Sequence, residues 1–128
     1  VASEFSPSPS YSDTVDIGEV PDGWFIMDIG PRSAASFSNT LGECKTIIWN
    51  GPMGVFEMDN YKQGTVTIGE AIANMAGVST VVGGGSTAEV VESMGISDRL
   101  THVSTGGGAS LEFLEGKVLP GIGALPNQ

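Results

Sequence analysis

The stretch TVVGGGSTAEVVESMG, Thr80 to Gly95, decides the fold. A β-branched apolar run meets three consecutive glycines, after which Ala88, Val91 and Met94 recur at the spacing of one helical face. This predicts a strand that turns directly into a helix. Every surplus glycine costs conformational entropy on folding, so packing alone hardly asks for three in a row. The turn has to admit something close to the main chain.

The same pattern repeats on both sides. Short apolar runs at Trp24–Ile29, Thr46–Trp49, Ser79–Val82 and Thr101–Ser104 are too brief for helices and rich in β-branched or aromatic residues, so they read as strands. Most do not alternate, which predicts strands covered on both faces. Helical spacing fills the intervals: Ala34, Phe37 and Leu41; Ile68, Ala71, Ile72, Met75 and Ala76; Ala88, Val91 and Met94; and finally Leu111 and Leu114. The resulting β-α-β-α-β-α-β-α order predicts an α/β fold with right-handed crossovers. Its architecture is an open parallel sheet with helices on both faces, a partial Rossmann-like three-layer arrangement. Before it lie a Pro/Ser loop, Ser6–Ser12, and a turn at Glu19–Gly23.

Composition narrows the partners. The chain has 128 residues, about the size of one domain. A formal charge of −10, with Arg32, Lys45, Lys62, Arg99 and Lys117 as the fixed cations, repels nucleic acid and anionic membranes. No apolar segment approaches the roughly 18 residues of a membrane span. Cys44 stands alone, so an internal disulfide is impossible and a cytoplasmic setting is expected. The chain opens on Val1 without the features of a signal peptide, and a truncated chain is expected.

A small phosphate ligand remains compatible with this charge if backbone amides, helix N-termini or a metal neutralise it. Four loops follow the predicted strands: Asp28–Pro31, Trp49–Glu57, Val81–Glu89 and Val103–Glu112. In the third, Ser86 or Thr87 is expected to cap the following helix through its hydroxyl, leaving the amides of Gly83, Gly84 and Gly85 for an anion. It is not a Walker A loop, because no Gly-Lys-Ser/Thr follows. Gly83–Ala88 also fits G-x-G-x-x-A, but a dinucleotide site needs an acidic residue closing the next strand, and here that strand ends in Ser104 and Thr105. In the second loop, Glu57 could accept hydrogen bonds from two ribose hydroxyls, with Pro52 and Val55 offering apolar faces to a base. The alternative for Glu57 is a solvated loop carboxylate. His102 is expected to be structural, since no second His or Cys joins it for a metal or a triad.

The strings DGWFIMDIGP, WNGPMGVFE and HVSTGGGASLEFLEGKVLPGIGAL, together spanning almost the whole chain, resemble the carboxyl-terminal part of phosphoglycerate kinase. The resemblance implies that residues 1–128 are most of the nucleotide-binding domain, without its early strands and without the amino-terminal domain. It implies reversible phosphoryl transfer from 1,3-bisphosphoglycerate to ADP, giving ATP and 3-phosphoglycerate, with Mg²⁺ on the nucleotide. Glu57 would bind the ribose, Asn50, Pro52 and Val55 would line the nucleotide site, and Gly83, Gly84, Gly85, Ser86 and Thr87 would hold phosphates. Gly84, Ser104, Thr105, Gly106 and Gly107 would meet the transferring group. The family usually carries Asp where this chain has Ser86, so Ser86 or Thr87 would meet the metal directly or through water, the alternative being a variant with reduced activity. The implied enzyme is a monomer, and the fragment alone is not expected to turn over. The competing reading is a nucleotide-binding module without turnover.

Overall fold

A computed structural model of the chain describes residues 1–104 and 106–125. Three strands, β1 (Thr46–Asn50), β2 (Ser79–Gly83) and β3 (His102–Ser104), pair in parallel in the order β1-β2-β3. The sheet is open, with helices around it: α1 (Pro31–Leu41), α2 (Gln63–Ala73), α3 (Gly85–Ser93), α4 (Gly107–Leu114) and a single turn, α5 (Pro120–Gly123). Pro31 opens α1, where its missing N–H leaves no bond unmade.

Register explains the core. Ile47 lies beside Thr80, Trp49 beside Val82, and Val82 beside Val103, which places these side chains on one face of the sheet. Ile68 and Ile72 from α2 and Val90 and Val91 from α3 bury themselves against that face together with Ile96 and Leu100. Each such side chain contributes about 1.5–3 kcal/mol on leaving water. Gly69 stands in the middle of α2, where a Cβ would lie 2.7 Å from Met94 Cε and 2.9 Å from Cη2 of Trp49. A mid-helix glycine costs about 1 kcal/mol, and here Met94 and the indole ring occupy the vacated space.

The opposite face carries Ile48, Val81 and His102. Ile48 is 48% exposed, so β1 alternates between buried and open positions where the sequence predicted a strand covered on both sides. At the strand tips α4 approaches this second face, with Ser110 beside Gly83.

The predicted strand Trp24–Ile29 does not join the sheet. Phe25 instead pairs antiparallel with Ala2 through two N–H···O bonds of 2.9 Å, and the Met27 carbonyl accepts the Val55 amide at 2.9 Å. Its backbone groups thus find nearer partners than a parallel strand could offer, and Met27 is buried in a second, smaller cluster with Ala2 and Tyr61. Phe37, expected on the inner face of α1, is 48% exposed, and Ala34 is the buried residue of that helix. The Pro/Ser loop is closed by Glu4, whose carboxylate accepts the Ser10 amide at 2.7 Å and the Ser3 and Ser10 hydroxyls at 2.9 Å. These bonds hold the Glu4 carboxyl below its ordinary value, the Ser10 amide contributing most.

Candidate functional site

The site is a line of residues in register across the strand tips. Asn50 ends β1 and pairs with Gly83, which ends β2 and pairs with Ser104, the last residue of β3. In parallel α/β sheets ligands bind at this carboxyl edge, where loops leave the strands and helices begin. Three of the residues singled out in the sequence are therefore neighbours.

The two triple-glycine turns start α3 and α4. Gly84 has φ +100 and ψ 142, a backbone conformation that side chains disfavour, and it occupies the N-cap position of α3. The helix begins at Gly85, so Ser86 and Thr87 lie inside its first turn and neither caps it through a side chain. This corrects the expected hydroxyl cap. Gly106 holds the corresponding position before α4, and its amide donates to the Ser104 hydroxyl at 3.2 Å.

What comes close to the glycine backbone is, first, the other glycine loop. A Cβ on Gly107 would lie 3.2 Å from the Gly84 Cα, and a Cβ on Gly84 would lie 3.2 Å from the Asn50 Oδ1. By contrast, added Cβ atoms on Gly85 and Gly108 would meet nothing within 4 Å. The loops touch at their inner glycines and open outward at the next ones. First-turn amides of a helix have no acceptor within that helix and carry the positive end of its dipole. Two such turns, in contact with each other, make an edge of amide donors of the kind that suits an anion.

The other expected residues are placed as follows. Thr87 is fully buried, and its hydroxyl accepts the Gly51 amide at 2.7 Å, tying the loop after β1 to the first turn of α3. Gly83 is buried, whereas Gly85 and Ser86 are exposed. Pro52 and Val55 are half-buried in the loop after β1, and Glu57 is exposed on it. Gly107 is half-buried and Gly106 exposed. Thr105 lies outside the described residues. Among those described, no cluster of three or more His, Cys, Asp or Glu could hold a metal.

Several supporting residues escaped the sequence reading. The buried Thr65 hydroxyl accepts the Met53 amide at 2.9 Å and the Gly54 amide at 3.3 Å. One Asp28 carboxylate oxygen accepts the Gly64 amide at the start of α2, and the other accepts the Ile29 amide, both at 2.8 Å. Ser110 shares a 2.7 Å hydrogen bond with Ser104. An isolated Thr inside a helical pattern carries no local mark of such a role; Asp28, three residues before a helix-opening Pro31, was the one with a usable signal.

A cavity lies elsewhere. It measures about 730 Å³ and runs between the amino-terminal arm and the first turns of α1 and α2, past Thr14, Ile26, Pro31 and Gln63. It does not touch the glycine edge, so volume alone would point away from the amide cluster. The chemistry of the donors favours the edge.

Comparison with known proteins agrees with the architecture. The family model described as phosphoglycerate kinase matches residues 1–117. The phosphoglycerate kinase of Latilactobacillus sakei is 53% identical over 128 residues, and that of Trichodesmium erythraeum 51% identical over 128; the chain spans 31% and 32% of their lengths. Among solved structures, the phosphoglycerate kinase of Coxiella burnetii superposes with a TM-score of 0.87 at 38% identity, covering 95% of this chain and 31% of that one. The enzyme of Pyrococcus horikoshii gives 0.67 at 44% identity, over 75% of this chain and 23% of that one. By sequence and by fold, the chain belongs to the phosphoglycerate kinase family.

Proposed function

We propose that this chain supplies the ADP/ATP site of a phosphoglycerate kinase, as its carboxyl-terminal nucleotide-binding part. The reaction is reversible transfer of a phosphoryl group from 1,3-bisphosphoglycerate to ADP, yielding ATP and 3-phosphoglycerate. Such a reaction asks little covalent chemistry of the protein and much positioning and charge stabilisation. The observation that carries the reading is the register line Asn50–Gly83–Ser104, flanked by two helix N-termini that meet at Gly84 and Gly107.

In this reading Gly83, Gly84 and Gly85, with the first turn of α3 through Ser86 and Thr87, hold the nucleotide phosphates. Asn50, Pro52 and Val55 line the nucleotide, and Glu57 takes the ribose. Gly84, Ser104, Gly106 and Gly107 face the transferring group, where a preorganised donor is worth about 3 kcal/mol, and Thr105, outside the described residues, is assigned the same role. Mg²⁺ would neutralise phosphate charge. Ser86, exposed at the first turn of α3, is the hydroxyl available to it, directly or through water, although a neutral oxygen is a weaker ligand than a carboxylate. Thr87 contributes its backbone, its hydroxyl being engaged by Gly51.

No Lys or Arg occurs in Thr46–Glu57, Ser79–Gly95 or Thr101–Gly116. The cationic side chains needed for an acyl phosphate, and the phosphoglycerate site itself, therefore belong to another part of a complete enzyme, which would act in the cytoplasm as a monomer. The isolated chain is not expected to turn over. Joining it to the upstream two-thirds of a relative such as the Latilactobacillus sakei kinase tests the assignment: phosphoryl transfer by the chimaera supports it, and ADP binding with no transfer favours the module without turnover. In the same chimaera, Ser86→Asp probes the metal path. An unchanged Mg²⁺ dependence would remove position 86 from it.

A further inference from the structure

We infer that Ala2, Met27 and Tyr61 form a positioning core for Glu57, separate from the core that supports the glycine edge; the inference rests on the nucleotide-site reading above. The three side chains make a buried cluster of their own, with Ala2 0%, Met27 1% and Tyr61 7% exposed. Val55 and Met58 pack on it. These two residues bracket Glu57, and the bracket is closed by hydrogen bonds: the Met58 amide donates to the Val55 carbonyl at 3.0 Å, and the Tyr61 amide to the Met58 carbonyl at 2.8 Å. The Val55 amide donates in turn to the Met27 carbonyl. Both ends of the turn that carries Glu57 are thus fastened to the cluster.

The main core holds the earlier part of the loop and, inside the bracket, only Phe56. Met53 and Phe56 pack on the cluster built around Trp49 and Ile68, and Thr65 and Thr87 hold the Met53, Gly54 and Gly51 amides. The phosphate edge at Gly83–Gly85 belongs to that main core through β2 and α3. Disturbing Ala2 therefore moves Glu57 while the loop stays attached and the glycine edge stays in place. Ala2 is the sensitive point, since its methyl is fully enclosed and its backbone pairs with both Phe25 and Ser12. Closely packed sites respond to a change of even one methylene.

The test compares ADP with 2′,3′-dideoxy-ADP by calorimetry on the same chimaera, carrying this chain as wild type, Ala2→Leu or the compensated double variant Ala2→Leu/Met27→Ala. Two ribose hydroxyls bonded to a carboxylate give the wild type about a tenfold preference for ADP. Ala2→Leu reduces the preference to less than about twofold, because a displaced carboxylate loses alignment with the hydroxyls, and the double variant restores it. A general loss of stability would weaken both ligands equally and leave the ratio intact. If Ala2→Leu does not fold, Ala2→Gly replaces it and is expected to halve the preference. A preference unchanged by the Ala2 variants overturns the inference and leaves the nucleotide site standing. Failure of the wild type to bind ADP overturns the site reading and the inference with it, and equal binding of the two nucleotides by the wild type overturns the role of Glu57 and hence its positioning core.

Discussion

At Gly84 a single backbone conformation connects the strand to the helix. With φ +100, and with Asn50 Oδ1 3.2 Å from where a Cβ would sit, the position admits glycine alone without strain. Gly84→Ala should cost about 1–3 kcal/mol in urea unfolding and weaken ADP binding; a substitution that leaves both unchanged would show that the turn tolerates a side chain and that its glycines serve something else. Tyr61 makes the opposite case. Its hydroxyl is buried without a hydrogen-bond partner among the described residues, and burying an unpaired polar group costs about 1–3 kcal/mol. Tyr61→Phe should accordingly raise the unfolding midpoint by an amount equivalent to about 1 kcal/mol or more. A fall in stability would mean that the hydroxyl has a partner in solution. The residue scale is also where sequence reading was weakest, because Thr65, Thr87 and Asp28 owe their roles to amides 11 to 36 positions away. Local pattern does not encode those meetings.

For the elements, β1 separates what periodicity could say from what it could not. The run TIIW announces a strand through its β-branched residues, but adjacent isoleucines do not reveal which of them points inward. Register with β2 settles it: Ile47 is 5% exposed and Ile48 48%. Ile47→Thr should cost about 3 kcal/mol, from lost apolar burial and a hydroxyl taken out of water, while Ile48→Thr should change stability by no more than about 0.5 kcal/mol. Parallel denaturation curves of the two variants check this, and equal losses would mean that the second face is covered in solution. The glycine-to-helix turns were legible because three adjacent glycines leave few other structures available. Trp24–Ile29 was misread for a definable reason. Its composition suits a strand, yet a strand exists only where another backbone is in reach, and Ala2 and Val55 captured its hydrogen bonds first.

On the scale of the whole molecule, the charge of −10 and the absence of Lys and Arg from the three loops have a consequence for binding. Sites that hold phosphate with cationic side chains lose affinity as salt screens the attraction. If amides hold the phosphates as proposed above, the grip is short-range while the long-range field is repulsive, so raising salt from about 50 to about 300 mM should leave the ADP affinity flat or strengthen it. A steep fall, measured by calorimetry at fixed Mg²⁺, would show that cationic side chains carry the binding. The sequence by itself determined the class of fold, the strand-to-helix order around the glycine turns and the family, because β-branched runs, helical spacing and triple glycines are local properties that any continuation of the chain must respect. Only the tertiary structure decided that Asn50, Gly83 and Ser104 share one line, that the two glycine loops touch, that Thr87 spends its hydroxyl on Gly51, and that a second small core packs Val55 and Met58. Those facts depend on register and on contacts between distant segments, which arise when strands align and helices pack.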